Sequence, residues 1–107
     1  MYLYLLTDGS RYKIGITKDV DRRLKQLQTG AASPLFVITV SADLPPTKAR
    51  FLERELHRSL RSQRTSGEWF DLDARLLSVV KAEIGVMPGQ YSKPSLYTAP
   101  EIISYRL

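Results

Sequence analysis

The chain has 107 residues, one histidine and no cysteine, and carries a formal net charge of +5 with a pI near 9.7. Such a length makes one domain. The missing cysteines exclude disulfides and thiolate metal sites, and one histidine excludes a His-rich site, so any metal must lean on oxygen ligands, which suits Mg²⁺ or Mn²⁺. No run approaches 18 apolar residues and the N-terminus lacks signal-peptide order, so the expected setting is cytoplasmic with no membrane contact, and the basic balance favours a polyanionic partner.

Two β-rich runs, Tyr2 to Thr7 and Arg11 to Ile16, flank Asp8-Gly9, a pair favoured in two-residue type I′ hairpin turns. Counting outward from that turn sets Leu5 opposite Tyr12, Tyr4 opposite Lys13 and Leu3 opposite Ile14. Period-2 geometry then puts Leu3, Leu5, Tyr12, Ile14 and Ile16 on a core face. Tyr2, Tyr4, Leu6, Arg11, Lys13 and Gly15 share the other face. A phenol opposite an ammonium, with Cβ atoms about 5 Å apart beside a residue lacking a side chain, marks a working surface.

Thr17 or Asp19 caps a helix through VDRRLKQLQT that stops at Gly30 in the left-handed conformation, with Val20, Leu24 and Leu27 as its buried stripe. At roughly 100° per residue, Arg23 lies about 60–70° from the centre of that stripe, at its shoulder, while Arg22 points to solvent. Leu35 to Ala42 is rich in β-branched residues and reads as a central strand. Pro46 or Thr47 then opens the longest helix, to Leu60 or Arg61, with Ala49, Leu52, Leu56 and Leu60 facing inward. Glu53 projects about 60° and His57 about 100° from that stripe on one flank, and Arg50 and Arg61 lie further round it. Arg54 and Arg58 face away.

Ser62 to Gly67 reads as a polar connection, Trp69-Phe70 as an aromatic anchor on a short extended segment, and Asp71 or Asp73 as the cap of a last helix. That helix has Leu76, Leu77, Val80 and Ile84 as its stripe and Gly85 as its stop. The expected fold is an α/β or α+β domain over residues 1–85. A hairpin and a third, central strand form a small mixed sheet flanked by three helices, and residues 86–107 follow as an extended tail.

The shoulder residues Tyr4, Lys13, Arg23, Glu53 and His57 suit phosphodiester hydrolysis. A carboxylate (Glu53) can hold a hard divalent cation, an arginine can spread phosphate charge, and a tyrosine can take a proton from water if a neighbouring cation lowers the cost. Each has a plainer role when taken alone. Tyr4 can pair with Lys13 to fill a sheet face, Arg23 can bridge to Asp19 or Glu53, and Glu53 can pair with Arg50 or His57. His57 suits a boundary or supporting position better than a ligand's, and Glu68 better orders the turn before Trp69.

These pieces resemble the GIY-YIG endonuclease superfamily over Met1 to about Leu72. Tyr2-Leu3-Tyr4 stands where that superfamily has GIY, Lys13-Ile14-Gly15 where it has YIG, DVDRRL carries the helix arginine as Arg23, and ARFLERELHRSL places the metal-binding glutamate at Glu53. The Lys-Ile-Gly triplet, the Glu53/His57 pair and the Gly-Glu-Trp-Phe run at 67–70 are similar to a short phage-type branch. The chain departs from the motif in having Tyr2 for the glycine of GIY and Lys13 for the second tyrosine. The resemblance implies a Mg²⁺- or Mn²⁺-dependent DNA endonuclease with Tyr4 as base, Lys13 as its electrostatic partner, Arg23 on phosphate and Glu53 on metal. Tyr2, Gly15, Arg50, Arg54, Arg58 and Arg61 are then the nucleic-acid contacts, on double-stranded DNA, with specificity supplied by a homodimer, a protein partner or the tail. A nucleic-acid-binding module without catalysis is the alternative on the same fold.

Overall fold

The computed structural model describes residues 1–85, so the tail expected over 86–107 lies outside the described residues. Strand β1 (Tyr2–Thr7) and strand β2 (Tyr12–Thr17) form the hairpin, followed by helix α1 (Val20–Thr29), strand β3 (Phe36–Val40) and helix α2 (Pro46–Ser59). A single 3-10 turn (Arg61–Gln63) leads into strands β4 (Arg64–Ser66) and β5 (Trp69–Phe70) and helix α3 (Ala74–Gly85). The strands lie in the order β3-β1-β2-β5-β4, and each neighbouring pair is antiparallel.

This is the expected α+β class with three helices, but the sheet is antiparallel rather than mixed and β3 is an edge strand rather than a central one. The apolar run of β3 misleads because helices cover the sheet on both faces. On one face Leu3, Leu5, Tyr12 and Ile14 pack with Phe70, with Leu60 at the end of α2, and with Leu77, Val80 and Ile84 of α3. On the other, Tyr4, Leu6, Val37 and Val40 pack beneath Val20 and Leu24 of α1. A strand covered on both sides reads as apolar wherever it sits in the order. Each fully buried leucine or phenylalanine here contributes about 1.5–3 kcal/mol. The hairpin face expected as a working surface is therefore largely core, and only its end near Gly15 is left for chemistry.

The hairpin turn also differs from expectation. Only Gly9 has positive φ, at 101°, whereas a type I′ turn needs it at Asp8 too. The connection is four residues long, and its organiser is the Asp8 carboxylate, which accepts from the Ser10 N–H at 3.0 Å and the Arg11 N–H at 2.7 Å. Thr7 Oγ1 adds a bond to the Arg11 carbonyl at 2.7 Å. Register consequently shifts by two, so that Tyr4 faces Gly15 and Lys13 faces Leu6. A shift of two leaves every side chain on its expected face.

Burial pushes the Asp8 carboxyl up, but the hydrogen bonds from Arg11 and Ser10 outweigh it and hold the group below its ordinary value of 3.8. A depressed carboxyl contributes stability that is present above that unfolded value and is lost as pH falls through the folded one. Asp8→Ala is expected to cost about 1–3 kcal/mol at pH 7, with the difference from wild type shrinking below about pH 4 in urea titrations; a pH-independent difference would contradict this account.

Asp19, not Thr17, caps α1 by accepting from the Arg22 N–H at 3.1 Å, and Thr17 Oγ1 accepts from the Asp19 N–H at 3.2 Å to order the approach. Gly30 ends α1 with φ −97°, so it is not left-handed as expected. Asp73 caps α3 through the Leu76 N–H at 2.8 Å. The stretch 62–67, expected as a connection, contains β4. Its Arg-Thr-Ser is fully exposed and carries no apolar pattern, and it is folded back by Gly67 at φ 55°.

Candidate active site

Strand β5 is only two residues long and pairs with β2 at Tyr12 and Lys13. One further bond, from the Ile14 N–H to the Glu68 carbonyl at 3.3 Å, ends that ladder. The Ile14 carbonyl, which a longer β5 would have covered, accepts instead from His57 Nε2 of α2 at 2.8 Å. Because a carbonyl only accepts, Nε2 carries a proton in this bond. The ring also stands edge-on to Phe70, 5.0 Å between centroids. His57 thus pins α2 against the open edge of β2 and sets the position of Glu53, one turn earlier on the same helix.

Across that edge lies Gly15. A Cβ built there falls on the Tyr4 hydroxyl, 2.6 Å from Tyr4 Cζ and 3.2 Å from Glu68 Oε1. Glycine is needed because the Tyr4 ring lies over the backbone of β2 and the Glu68 carboxylate reaches in from the β4–β5 turn. The space expected to admit backbone or phosphate is occupied by Tyr4. Lys13, buried beside them, pairs its Nζ with Glu68 Oε1 at 3.3 Å and lies 5.4 Å from the centre of the Trp69 ring. The expected Tyr4–Lys13 pair is therefore replaced by Tyr4 over Gly15 with Lys13 held by Glu68.

The electrostatics bind these groups into one cluster. Burial raises the Tyr4 hydroxyl above the ordinary phenol value of 10.0; the Arg23 side chain, hydrogen-bonding to it, opposes the rise, while the charges of Glu68 and Glu53 reinforce it. Burial also raises the Glu53 carboxyl, and the negative charge of Glu68 adds to this against the opposing charges of His57 and Lys13. Among the described residues Glu53 makes no hydrogen bond or ion pair. A half-buried carboxylate beside a second carboxylate, with no partner of its own, is an unfavourable arrangement for a solely structural group.

The sequence pattern of the T5orf172 domain matches residues 1–85. The chain belongs to the T5orf172 domain family. This is a phage-associated domain found in nuclease-like, DNA-binding proteins. Comparison with the curated proteins and with the solved structures returns no match.

Within this T5orf172 domain, Tyr4, Lys13, Arg23 and Glu53 lie within electrostatic reach of one another, and His57 stands one helical turn from Glu53. Arg23 is half-buried at the shoulder of α1 and Arg22 is exposed. The residue that sequence reasoning undervalued is Glu68, expected only to order a turn. Its position directly after Gly67, in a two-residue connection between strands, was the available signal. Arg50, Arg54 and Arg61 are exposed on α2 and just beyond it, and Arg58, also exposed, donates to Glu55 Oε1 at 2.6 Å. Tyr2 is half-buried, packed against the core beneath α1, which leaves it less surface for nucleic acid than expected. No described helix is long and apolar enough to cross a membrane.

Proposed function

We propose that this T5orf172 domain is a divalent-metal-dependent DNA endonuclease of GIY-YIG type. The observation that carries the reading is the convergence of Tyr4, Lys13, Arg23, Glu53 and Glu68, from β1, β2, α1, α2 and the β4–β5 turn, on the open edge of β2 at Gly15. Membership of a family of nuclease-like, DNA-binding proteins supports it.

The donor set fits a hard cation in its chemistry. Glu53 is an unpaired carboxylate facing the charge of Glu68, and a divalent ion held by Glu53 relieves that repulsion. Among the described residues no group of three histidine, cysteine or acidic side chains converges as a complete metal cage. That suits Mg²⁺ or Mn²⁺, which keep water and take phosphate oxygens as further ligands. When bound, the ion supplies Lewis-acid withdrawal of charge from the scissile phosphate.

The chain's own residues supply the rest. Arg23 hydrogen-bonds the Tyr4 hydroxyl and offers a guanidinium to the non-bridging phosphate oxygens. Tyr4 gives up its own proton to solvent first and, as the phenolate, takes the proton of the attacking water. In the free protein burial and two carboxylates keep it protonated, and neutralising those carboxylates leaves burial opposed by Arg23 alone. Lys13 holds Glu68 in place and adds positive charge beside it. His57 positions α2. Arg50, Arg54, Arg58 and Arg61 provide salt-dependent affinity for the DNA backbone. With Tyr4 as base, cleavage is expected to rise with pH up to at least about pH 9, and Tyr4→Phe to lower the rate and flatten that rise. An unchanged pH–rate profile in Tyr4→Phe removes Tyr4 from the base role.

A specific observation favours a second reading, a binding module without catalysis. Lys13 stands where the resembling motif has tyrosine, and it is engaged by Glu68 and Trp69 rather than free. A labelled DNA duplex followed by anisotropy and by denaturing gel, in Mg²⁺, Mn²⁺ or EDTA, separates the two. Cleavage only with metal supports the enzyme, and retention of intact duplex in every buffer supports the module.

A further inference from the structure

Beside the cluster lies a cleft of ≈ 440 Å³ that the proposed chemistry does not use. It runs between the β1–β2 turn and the loop after α1, and Asp8, Arg11, Gln26, Ala32, Ser33 and Trp69 line it. Its volume is in the range of small-molecule sites. Arg11 dominates it. The guanidinium lies 4.7 Å from the centre of the Trp69 ring and is tied by Nη2 to Asp8 Oδ2 at 3.3 Å, while its side chain stays 39% exposed. Its fork is engaged by a carboxylate that lines the same cleft and itself repels a phosphate, which disfavours an anion here. What remains available is the flat outer face of a guanidinium held still by an indole and a carboxylate. Flat, uncharged π-systems stack on such a face.

The polar groups around it suit a base edge. Gln26 is exposed, and among the described residues its side chain makes no hydrogen bond. The N–H groups of Ala32 and Ser33 likewise have no partner among the described residues, so the loop offers donors beside the amide's donor and acceptor. Trp69 is the wall shared with the candidate active site, because Lys13 lies against the same ring.

We propose that this cleft is a nucleobase subsite, in which an unstacked base next to the attacked phosphate lies on the Arg11 guanidinium, backed by Trp69. The inference rests on the reading of the chain as a DNA-binding enzyme and adds a direct contact with a base to what is otherwise binding through the sugar–phosphate backbone.

Trp69 is the sole tryptophan of the chain, so the fluorescence comes from this shared wall, and the abasic strand separates contact in the cleft from binding at the neighbouring cluster. In EDTA, the whole chain is titrated with a nine-nucleotide thymidine strand and with an abasic strand of the same length and charge. Binding is read by anisotropy of a labelled strand and contact by Trp69 quenching. The thymidine strand is expected to bind roughly 5- to 100-fold more tightly and to quench at saturation, while the abasic strand binds without quenching. Arg11→Ala abolishes the difference. Ala32→Phe, at an exposed position, fills the cleft while keeping Arg11 and Trp69, abolishes it too, and holds abasic affinity within about twofold. Equal affinity and equal quenching for both strands overturn the subsite and leave the nuclease reading standing, as does a duplex that binds where the thymidine strand does not. Failure of every DNA to bind overturns the nuclease reading and the subsite with it.

Discussion

Replacing Glu53 by glutamine is expected to abolish metal-dependent cleavage while leaving the fold at least as stable as before. The activity loss, on the order of 10²–10⁴-fold, follows from removing the carboxylate proposed to hold the cation, whose charge withdrawal is worth several kcal/mol. The stability effect follows from the sign of the Glu53 shift. A carboxyl raised by burial and by Glu68 binds its proton more tightly folded than unfolded. Stability is therefore greatest below the unfolded value of 4.5, falls as pH rises to the folded value, and carries the whole penalty at neutral pH. Glutamine is isosteric and uncharged, and among the described residues it breaks no hydrogen bond. The Tm of Glu53→Gln at pH 7 is expected at or above that of wild type. Mg²⁺ at ten times its Kd should stabilise wild type by about 1.4 kcal/mol and the variant by much less. A variant that melts well below wild type assigns Glu53 a structural role, and an Mg²⁺ shift of equal size in both places the cation elsewhere.

Gly15→Ala is the second large effect, and its sign runs against intrinsic preference. Alanine normally gains about 0.5–1 kcal/mol over glycine inside a strand. Here its Cβ collides with the Tyr4 hydroxyl and Cζ, atoms of a ring that is 2% exposed and cannot swing away. A cost of about 1–3 kcal/mol is expected, with the Tyr4 hydroxyl displaced from Arg23 and cleavage reduced accordingly. In a Tyr4→Leu background the clash is gone, so Gly15→Ala should become neutral or favourable, a coupling of at least about 1 kcal/mol by urea titration of the four proteins. Additivity of the two changes contradicts the placement of the Tyr4 ring over Gly15.

The same pair of residues shows how far the sequence carries the site. Period-2 alternation assigned Tyr4, Lys13 and Gly15 to one face, and an even register shift preserved that assignment. Which of them stand opposite depends on the turn, and the turn depends on the Asp8 carboxylate taking two backbone N–H groups, a choice the Asp-Gly pair does not announce. The helical shoulders of Arg23, Glu53 and His57 were legible because 3.6-residue periodicity fixes their angle to a buried stripe. Whether α1 and α2 bring those shoulders together from opposite sides of the sheet was not, since that is set by tertiary packing at the open edge of β2. Strand β4 was invisible because all of its side chains are exposed. The edge position of β3 was hidden by helices on both faces. Glu68 was read as a turn former because that is also true of it: the short connection that needs Gly67 carries the neighbouring carboxylate to Lys13.

The most direct measurement is a time course of supercoiled plasmid with purified wild type and Glu53→Gln, each in Mg²⁺, in Mn²⁺ and in EDTA. Conversion to open-circular or linear DNA by wild type in either metal, absent in EDTA and absent from the variant in all three buffers, is the predicted result. Nicking that persists in EDTA, or at an equal rate in Glu53→Gln, contradicts metal-dependent hydrolysis at this cluster.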